Sequence, residues 1–436
     1  MLKQAGEMND QQAMDYLHSL GRFGMHFGLE RMEKMMEHLG NPHKKLNTIH
    51  ITGTNGKGSV AMMIGSILRK AGYRVGVYTS PHLDDFRERI QINAKFIPKK
   101  DVARLMQKIK PIVKKTLAET GSNATFFEVV TAIALQYFSD EKVDYLVLEV
   151  GLGGRLDATN IVDSKTCVIT NIDYEHTDVL GNSLTSIAEE KGGIIKHGAL
   201  VITSETKKEV LRVFERICKE KNARLFQIQK EFKIRKIVSD SEKNTFTIKS
   251  KFYSYEKLKV PLIGEYQIMN ACMAIAAVKF LNEGINEKSI RDGLVRTRWP
   301  GRLEIISRKP LIVMDAAHNP AAMKQLVKSL KLFNYNRMIL VFGVMKDKDI
   351  KKIVEIIIPQ ASMTIINKPK VERVAEPKLI QKYARKFSKT IIIKNVKESI
   401  KYAKSIAGKD DLICITGSIY MLSEARAKRN LKRLAQ

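Results

Sequence analysis

Gly53-Thr54-Asn55-Gly56-Lys57-Gly58-Ser59 places three glycines, a lysine and two hydroxyls in seven consecutive residues. Glycines let backbone N–H groups turn toward an anion, and a lysine supplies a compact positive charge. The chemistry this predicts is nucleotide phosphate binding, provided that a strand enters the loop and a helix leaves it. Both are predicted here: an apolar strand over Leu46–Thr52, then a helix over Ser59–Ala71 with Val60, Ile64, Ile67 and Leu68 on one face. The helix N-terminus adds its positive dipole end. The loop departs from G-x-x-x-x-G-K-[ST], because Ile51 stands at the first position and Gly58 separates Lys57 from Ser59. A metal ion accompanying the phosphates then needs oxygen ligands from elsewhere.

Two further sets of residues sit where sheet-borne chemistry is usually found, at the carboxyl ends of strands. Glu149 closes the near-continuous apolar run Val143–Val150, which reads as a buried parallel strand. Asp315 and His318 follow a predicted strand over Leu311–Met314.

The elements that must position these groups alternate. Strands are predicted over Arg74–Tyr78, Thr166–Asn171 and Ala199–Thr203, and helices over Val102–Leu117, Val129–Phe138 and Gln267–Leu281. From Arg224 to Val260 short alternating runs predict an antiparallel addition. Trp299-Pro300-Gly301 marks a boundary. Beyond it strands over Met338–Phe342, Met363–Ile366, Ile391–Ile393 and Leu412–Ile415 alternate with helical stretches. The fold class is therefore α/β. Residues 1–298 form a P-loop-type ATPase domain with a mostly parallel sheet and a small antiparallel addition, and residues 299–436 a Rossmann-like α/β domain.

Composition excludes other classes. The 44% hydrophobic and 28% charged residues are those of a soluble globular protein. The N-terminal MLKQAGEMND has no apolar signal region, and runs such as Arg337–Met345 are too short to span a membrane. Cys167, Cys218, Cys272 and Cys414 are scattered, which argues against a metal cluster or a disulfide framework and fits a reducing cytoplasm. The net charge is +29, and residues 301–436 hold 29 Lys and Arg against 11 Asp and Glu. That excess suits an acidic small substrate, an anionic surface, nucleic acid, or simply a solvated lysine-rich exterior. No zinc-finger spacing or aromatic-interleaved basic motif points to nucleic acid.

A series of motifs carries a resemblance. Gly53–Ser59 resembles the nucleotide loop of the folylpolyglutamate and dihydrofolate synthases, members of the Mur ligase superfamily. Gly28-Leu29-Glu30-Arg31, Thr79-Ser80-Pro81-His82-Leu83, Leu148–Asn160, Glu175-His176-Thr177 and Glu190-Lys191-Gly192-Gly193 follow the same order as in that family. Trp299-Pro300-Gly301-Arg302, Asp315-Ala316-Ala317-His318-Asn319-Pro320 and Thr416-Gly417-Ser418 complete the series. The chain departs where Glu175 replaces the family's aspartate before His176, where Asn93-Ala94 replaces Asn-Gly, and where Asp315-Ala316 replaces Asp-Gly. Gly264-Glu265-Tyr266-Gln267 likewise replaces Gly-x-His-Gln.

The resemblance implies ATP-dependent activation of a folate or dihydropteroate carboxylate and attack by the amine of L-glutamate, with ATP and one or two Mg²⁺ ions required. It assigns Gly53, Thr54, Asn55, Gly56, Lys57, Gly58, Ser59, Asn270, Arg302 and Asp315 to ATP, and Ser80, Glu149 and His176 to metal. Lys57, Lys191 and His318 become catalytic, with Lys191 carbamylated. Thr125, Phe126, Phe127, Gly154 and Arg155 fall near a pterin site. Phe126 and Phe127 are equally readable as core. A cytoplasmic monomer without nucleic-acid or membrane partners is expected. The competing readings are a Mur-type ligase for a cell-wall precursor or another acidic peptide and, more remotely, a nucleic-acid-binding NTPase.

Overall fold

The computed structural model describes residues 8–21, 27–251, 253–281 and 284–426. Its largest sheet has eight strands: β1 (Thr48–Thr52), β2 (Val75–Tyr78), β3 (Ile90–Ile92), β4 (Lys95–Phe96), β5 (Tyr145–Glu149), β6 (Thr166–Ile169), β7 (Leu200–Thr203) and β8 (Arg224–Gln227). They are ordered β4-β3-β2-β5-β1-β6-β7-β8, and only β3 and β4 run antiparallel to their neighbours. β1 lies between β5 and β6, where the chain reverses its direction of progress across the sheet. Loops leaving adjacent strands there diverge and open a crevice at the carboxyl ends.

The near-continuous apolar runs are explained by burial on both faces. Every residue of β1 and β5 is buried. On one face Ile49, Ile51 and Val147 pack with Val60, Ile64 and Ile67 of helix Lys57–Lys70 and with helix Tyr266–Phe280. On the other, Leu146 and Leu148 pack with Ile133 of helix Phe126–Asp140 and with Leu105 of helix Lys99–Thr120.

Strands β9 (Lys233–Ser239), β10 (Asn244–Lys249) and β11 (Ser254–Val260) form a separate antiparallel sheet. The antiparallel addition therefore begins at Lys233, not near Arg224: β8 pairs in parallel with β7 and closes the main sheet, Leu200 against Arg224 and Thr203 against Gln227. Only Phe226 and Gln227 of β8 are buried, so its sequence lacks the apolar run that marks a parallel strand.

The C-terminal sheet contains β12 (Glu304–Arg308), β13 (Leu311–Asp315), β14 (Met338–Phe342), β15 (Met363–Ile366), β16 (Lys389–Ile392) and β17 (Leu412–Thr416). Its order is β12-β13-β17-β14-β15-β16, parallel except for edge strand β12. Two apolar layers cover its faces. The carboxyl ends of β13, β14 and β17 carry residues that face the main sheet's crevice across a cleft. Among the described residues no helix is long and apolar enough to cross a membrane.

Candidate active site

β1 ends at Thr52, and Gly53 turns the chain with φ +138° so close to β6 that a Cβ there would lie 1.9 Å from Thr170 Oγ1. Gly56, at φ +91°, starts helix Lys57–Lys70 without any side-chain cap. The first-turn N–H groups of that helix consequently lack an intrahelical partner and suit an anion. The loop is tied to its neighbour: Asn55 N donates to Asn171 Oδ1 (3.1 Å) and Thr170 Oγ1 donates to Asn55 O (2.7 Å). Lys57 folds back over it, donating to Gly53 O (2.9 Å) and Thr54 O (3.2 Å).

Behind the loop lie two buried ionisable groups. Lys191 Nζ donates to the same Gly53 O at 3.1 Å. Burial, reinforced by the charge of Lys57, lowers its pKa to about 7. Glu149, at the end of β5, accepts Ser80 N at 3.1 Å. Burial raises its pKa, and Lys57 opposes the rise.

His176 sits at φ +51° further along the cleft, with Nε2 3.5 Å from Lys348 Nζ. Burial and then Lys348 lower its pKa to about 4, so the ring is neutral near pH 7. Ser80 and Glu149 are thus brought together, while His176 is paired with the opposite wall. Among the described residues no three His, Cys, Asp or Glu side chains converge to hold a metal ion. The donors that do meet, a buried carboxylate and the Ser80 residue it binds, are hard oxygen chemistry suited to Mg²⁺.

The opposite wall is built from the linker and β13. Asp315 is buried and accepts Leu303 N and Ala317 N, both at 2.8 Å. Its pKa is raised by burial, with Arg302 opposing. Arg302 stands 5.9 Å from the Trp299 ring centroid, and Trp299 packs against the phosphate loop, where a Cβ on Gly58 would lie 2.7 Å from its ring. Asn270, on helix Tyr266–Phe280, comes so near Gly56 that a Cβ there would lie 2.6 Å from Asn270 Oδ1. Asn319 caps helix Pro320–Leu330 through Ala322 N and also donates to Asn55 Oδ1 (3.0 Å). His318 reaches Glu175 on the first wall, Nε2 to Oε1 at 2.8 Å.

The cleft between the walls is about 990 Å³ and collects Lys57, Glu149, Arg302, Asp315 and His318 along one continuous surface. Its far end is lined by Thr125, Phe126, Phe127 and Glu128. Thr125 doubles as the cap of helix Phe126–Asp140, accepting Glu128 N. Gly154 and Arg155, expected near a pterin, do not line the cleft. Gly154 is packed on backbone, since a Cβ would meet Glu190 O at 2.7 Å, and Arg155 turns outward to pair with Glu190. The sequence reading missed Arg89, Glu175 and Lys348. Arg89 is a buried cleft residue that stacks over Phe126 (5.5 Å), donates to His82 Nδ1 (2.9 Å), and forms no ion pair with a carboxylate among the described residues. The departure from aspartate at position 175 was the one available signal; nothing local marks the other two.

Residues 51–278 match the Mur ligase middle domain, and residues 301–419 match the Mur ligase glutamate ligase domain. The chain is 34% identical over 428 residues to the dihydrofolate synthase/folylpolyglutamate synthase of Bacillus subtilis, covering 96% of this chain and 98% of that protein. It resembles the crystal structure of folylpolyglutamate synthase from Thermotoga maritima at 35% identity and TM-score 0.84, covering 95% and 96% of the two chains. The Escherichia coli FolC structure in complex with DHPP and ADP matches at 30% identity and TM-score 0.85, covering 94% and 96%.

Proposed function

Because the chain belongs to the dihydrofolate synthase/folylpolyglutamate synthase family of Mur ligases, and so is an ATP-dependent amide-forming ligase that joins glutamate to folates, we propose that it performs both family reactions. It adds glutamate to dihydropteroate and extends folate glutamates. The observation that carries this reading is the two-walled cleft, with an uncapped phosphate loop on one wall and Asp315 and His318 on the other.

The substrate carboxylate attacks the γ-phosphorus of ATP, ADP departs, and an acyl phosphate results. The amine of L-glutamate then adds to that carbonyl, and phosphate leaves from the tetrahedral intermediate as the amide forms. Such chemistry needs positioning and positive charge more than covalent help. The backbone of Thr54–Ser59 and Lys57 hold the phosphates. Arg302 and Asn270 orient the nucleotide from the linker and helix side, and Asp315 and His318 from the other wall. Phe126 and Phe127 supply an apolar slot for the pteridine.

Glu149 and Ser80 would hold Mg²⁺, which would neutralise phosphate charge. A carbamate on Lys191 would supply a further oxygen ligand, and His176 would join the set only on leaving Lys348. The protein acts as a monomer in the cytoplasm, with ATP, L-glutamate and the folate as its partners and no nucleic acid.

The test is glutamate incorporation with dihydropteroate and tetrahydrofolate as parallel acceptors, with ATP and Mg²⁺, read by phosphate release and product mass. Turnover of both acceptors is expected. Turnover of one alone rejects bifunctionality. No ligation on either acceptor, with ADP still bound, rejects the folate reading.

A further inference from the structure

Several ion pairs join the two walls among the described residues, including Arg426 Nε to Asp84 Oδ2 at 2.8 Å with side chains 11% and 22% exposed, and two others lie at the solvent-exposed rim. Lys328–Glu265 and Arg308–Glu242 have side chains 43–64% exposed and contribute little. The contact made by Glu175 differs, because its side chain is only 9% exposed. Glu175 Oε1 accepts His318 Nε2 at 2.8 Å, Lys348 Nζ at 3.4 Å and Asn319 Nδ2 at 3.4 Å, and all three donors come from the C-terminal wall. His318 Nδ1 faces Ala316 O at 2.8 Å, so both ring nitrogens lie against oxygen atoms. Lys348 also lies 3.3 Å from Asp347 Oδ2 and is only 10% exposed. One carboxylate on the first wall thus answers the buried ammonium of Lys348 and the half-buried imidazole of His318 on the second.

We infer that Glu175 is a positioning residue that holds the two walls in their closed register, and that a glutamate at this position provides the reach to do so. An aspartate is one methylene shorter, and from the same backbone its carboxylate falls short of His318 and Lys348. The placement has a consequence for the ligation. His318, Asn319 and Lys348 are drawn over the phosphate loop through a residue adjacent to His176, so closure and assembly of the reacting groups become one event.

This inference rests on the ligase reading of the site. It is tested in the full-length chain with Glu175→Asp, which keeps the charge and loses reach, and Glu175→Gln, which keeps reach and loses charge. Small-angle X-ray scattering without nucleotide should show a larger radius of gyration for both variants than for the wild type. Their kcat should fall by about tenfold or more, while the thermal midpoint stays near wild type, since each wall keeps its own core. Wild-type scattering and kcat in either variant overturn the proposal. So does a drop in thermal midpoint that tracks the loss of kcat, which would assign Glu175 to fold maintenance. Absence of ligation by the wild type itself would reject the ligase reading, and scattering would still report whether Glu175 closes the cleft.

Discussion

The side-chain nitrogens of Lys57 and Lys191 donate to one and the same oxygen, the carbonyl of Gly53, at 2.9 and 3.1 Å. Two ammonium groups on one carbonyl repel, and the buried member yields. Lys191 is that member: burial and then the charge of Lys57 bring its pKa down to about 7. A neutral amine is what carbon dioxide needs as a nucleophile, and the carbamate that forms carries a negative charge beside Lys57 instead of a second positive one. Protein equilibrated with ¹³C-bicarbonate at mildly alkaline pH should give a carbamate carbon resonance that is missing in Lys191→Met. A wild-type spectrum without that resonance rejects the modification.

The same shift makes a stability prediction in carbonate-free buffer. Lys191 holds its proton only below about pH 7 in the folded chain, whereas its ordinary value is 10.5. Between those limits the unfolded chain binds more protons, so stability rises with pH, by up to about 1.4 kcal/mol per pH unit. Below the window the full penalty of burying the ammonium is present. Urea melts of wild type and Lys191→Met across pH 7–10 should show the wild-type curve climbing more steeply; parallel curves sink the prediction.

Gly58, the residue that separates Lys57 from Ser59, has a steric reason to be glycine. A Cβ there would come within 2.7 Å of Cζ2 and 3.0 Å of Cε2 of Trp299, both in a rigid ring. Gly58→Ala should therefore lower stability by about 1–3 kcal/mol, the usual range for overpacking, and disturb the loop's anion contacts. Trp299 is the sequence's single tryptophan. Its fluorescence reports the change directly, and an unaltered emission spectrum with unaltered ADP titration would show that the ring moves aside freely.

What the sequence makes legible is local or periodic. The phosphate loop is contiguous, and strands β1 and β5 are recognisable because burial on both faces demands apolar residues throughout. β8 escapes recognition because an edge strand is half-solvated and reads Arg-Leu-Phe-Gln. The cross-cleft set escapes for a different reason. Glu175 and His318 are 143 residues apart, and Glu175 and Lys348 are 173 apart. Their meeting depends on how two sheets face each other, which no periodicity encodes. Gly154 illustrates the converse: its motif is conspicuous, yet what requires glycine there is the backbone of Glu190 and Lys191 pressing on it.

The part of the cleft lined by Phe126 and Phe127 rests on a buried ion pair, and its removal should be felt both in the fold and at the site. Arg31 Nε donates to Glu128 Oε1 at 3.0 Å, Nη2 lies 2.9 Å from the same oxygen, and the side chains are 10% and 4% exposed. Glu128 Oε2 in turn accepts Thr125 N (2.7 Å) and Thr125 Oγ1 (2.9 Å), closing the first turn of the helix that carries Phe126 and Phe127. Replacing one partner strands a charge away from water, so Arg31→Met should destabilise the protein by about 3–5 kcal/mol. Glu128→Gln keeps the shape and a hydrogen-bond acceptor but removes the carboxylate charge opposite Arg31 and weakens the cap. The double variant Arg31→Met/Glu128→Gln removes both charges and should recover part of the loss, a non-additivity of about 1–3 kcal/mol. Chemical denaturation of the four proteins measures that coupling. Strict additivity would mean that the guanidinium and carboxylate act independently, and that neighbouring contacts rather than the pair hold Phe126 and Phe127 in the cleft wall.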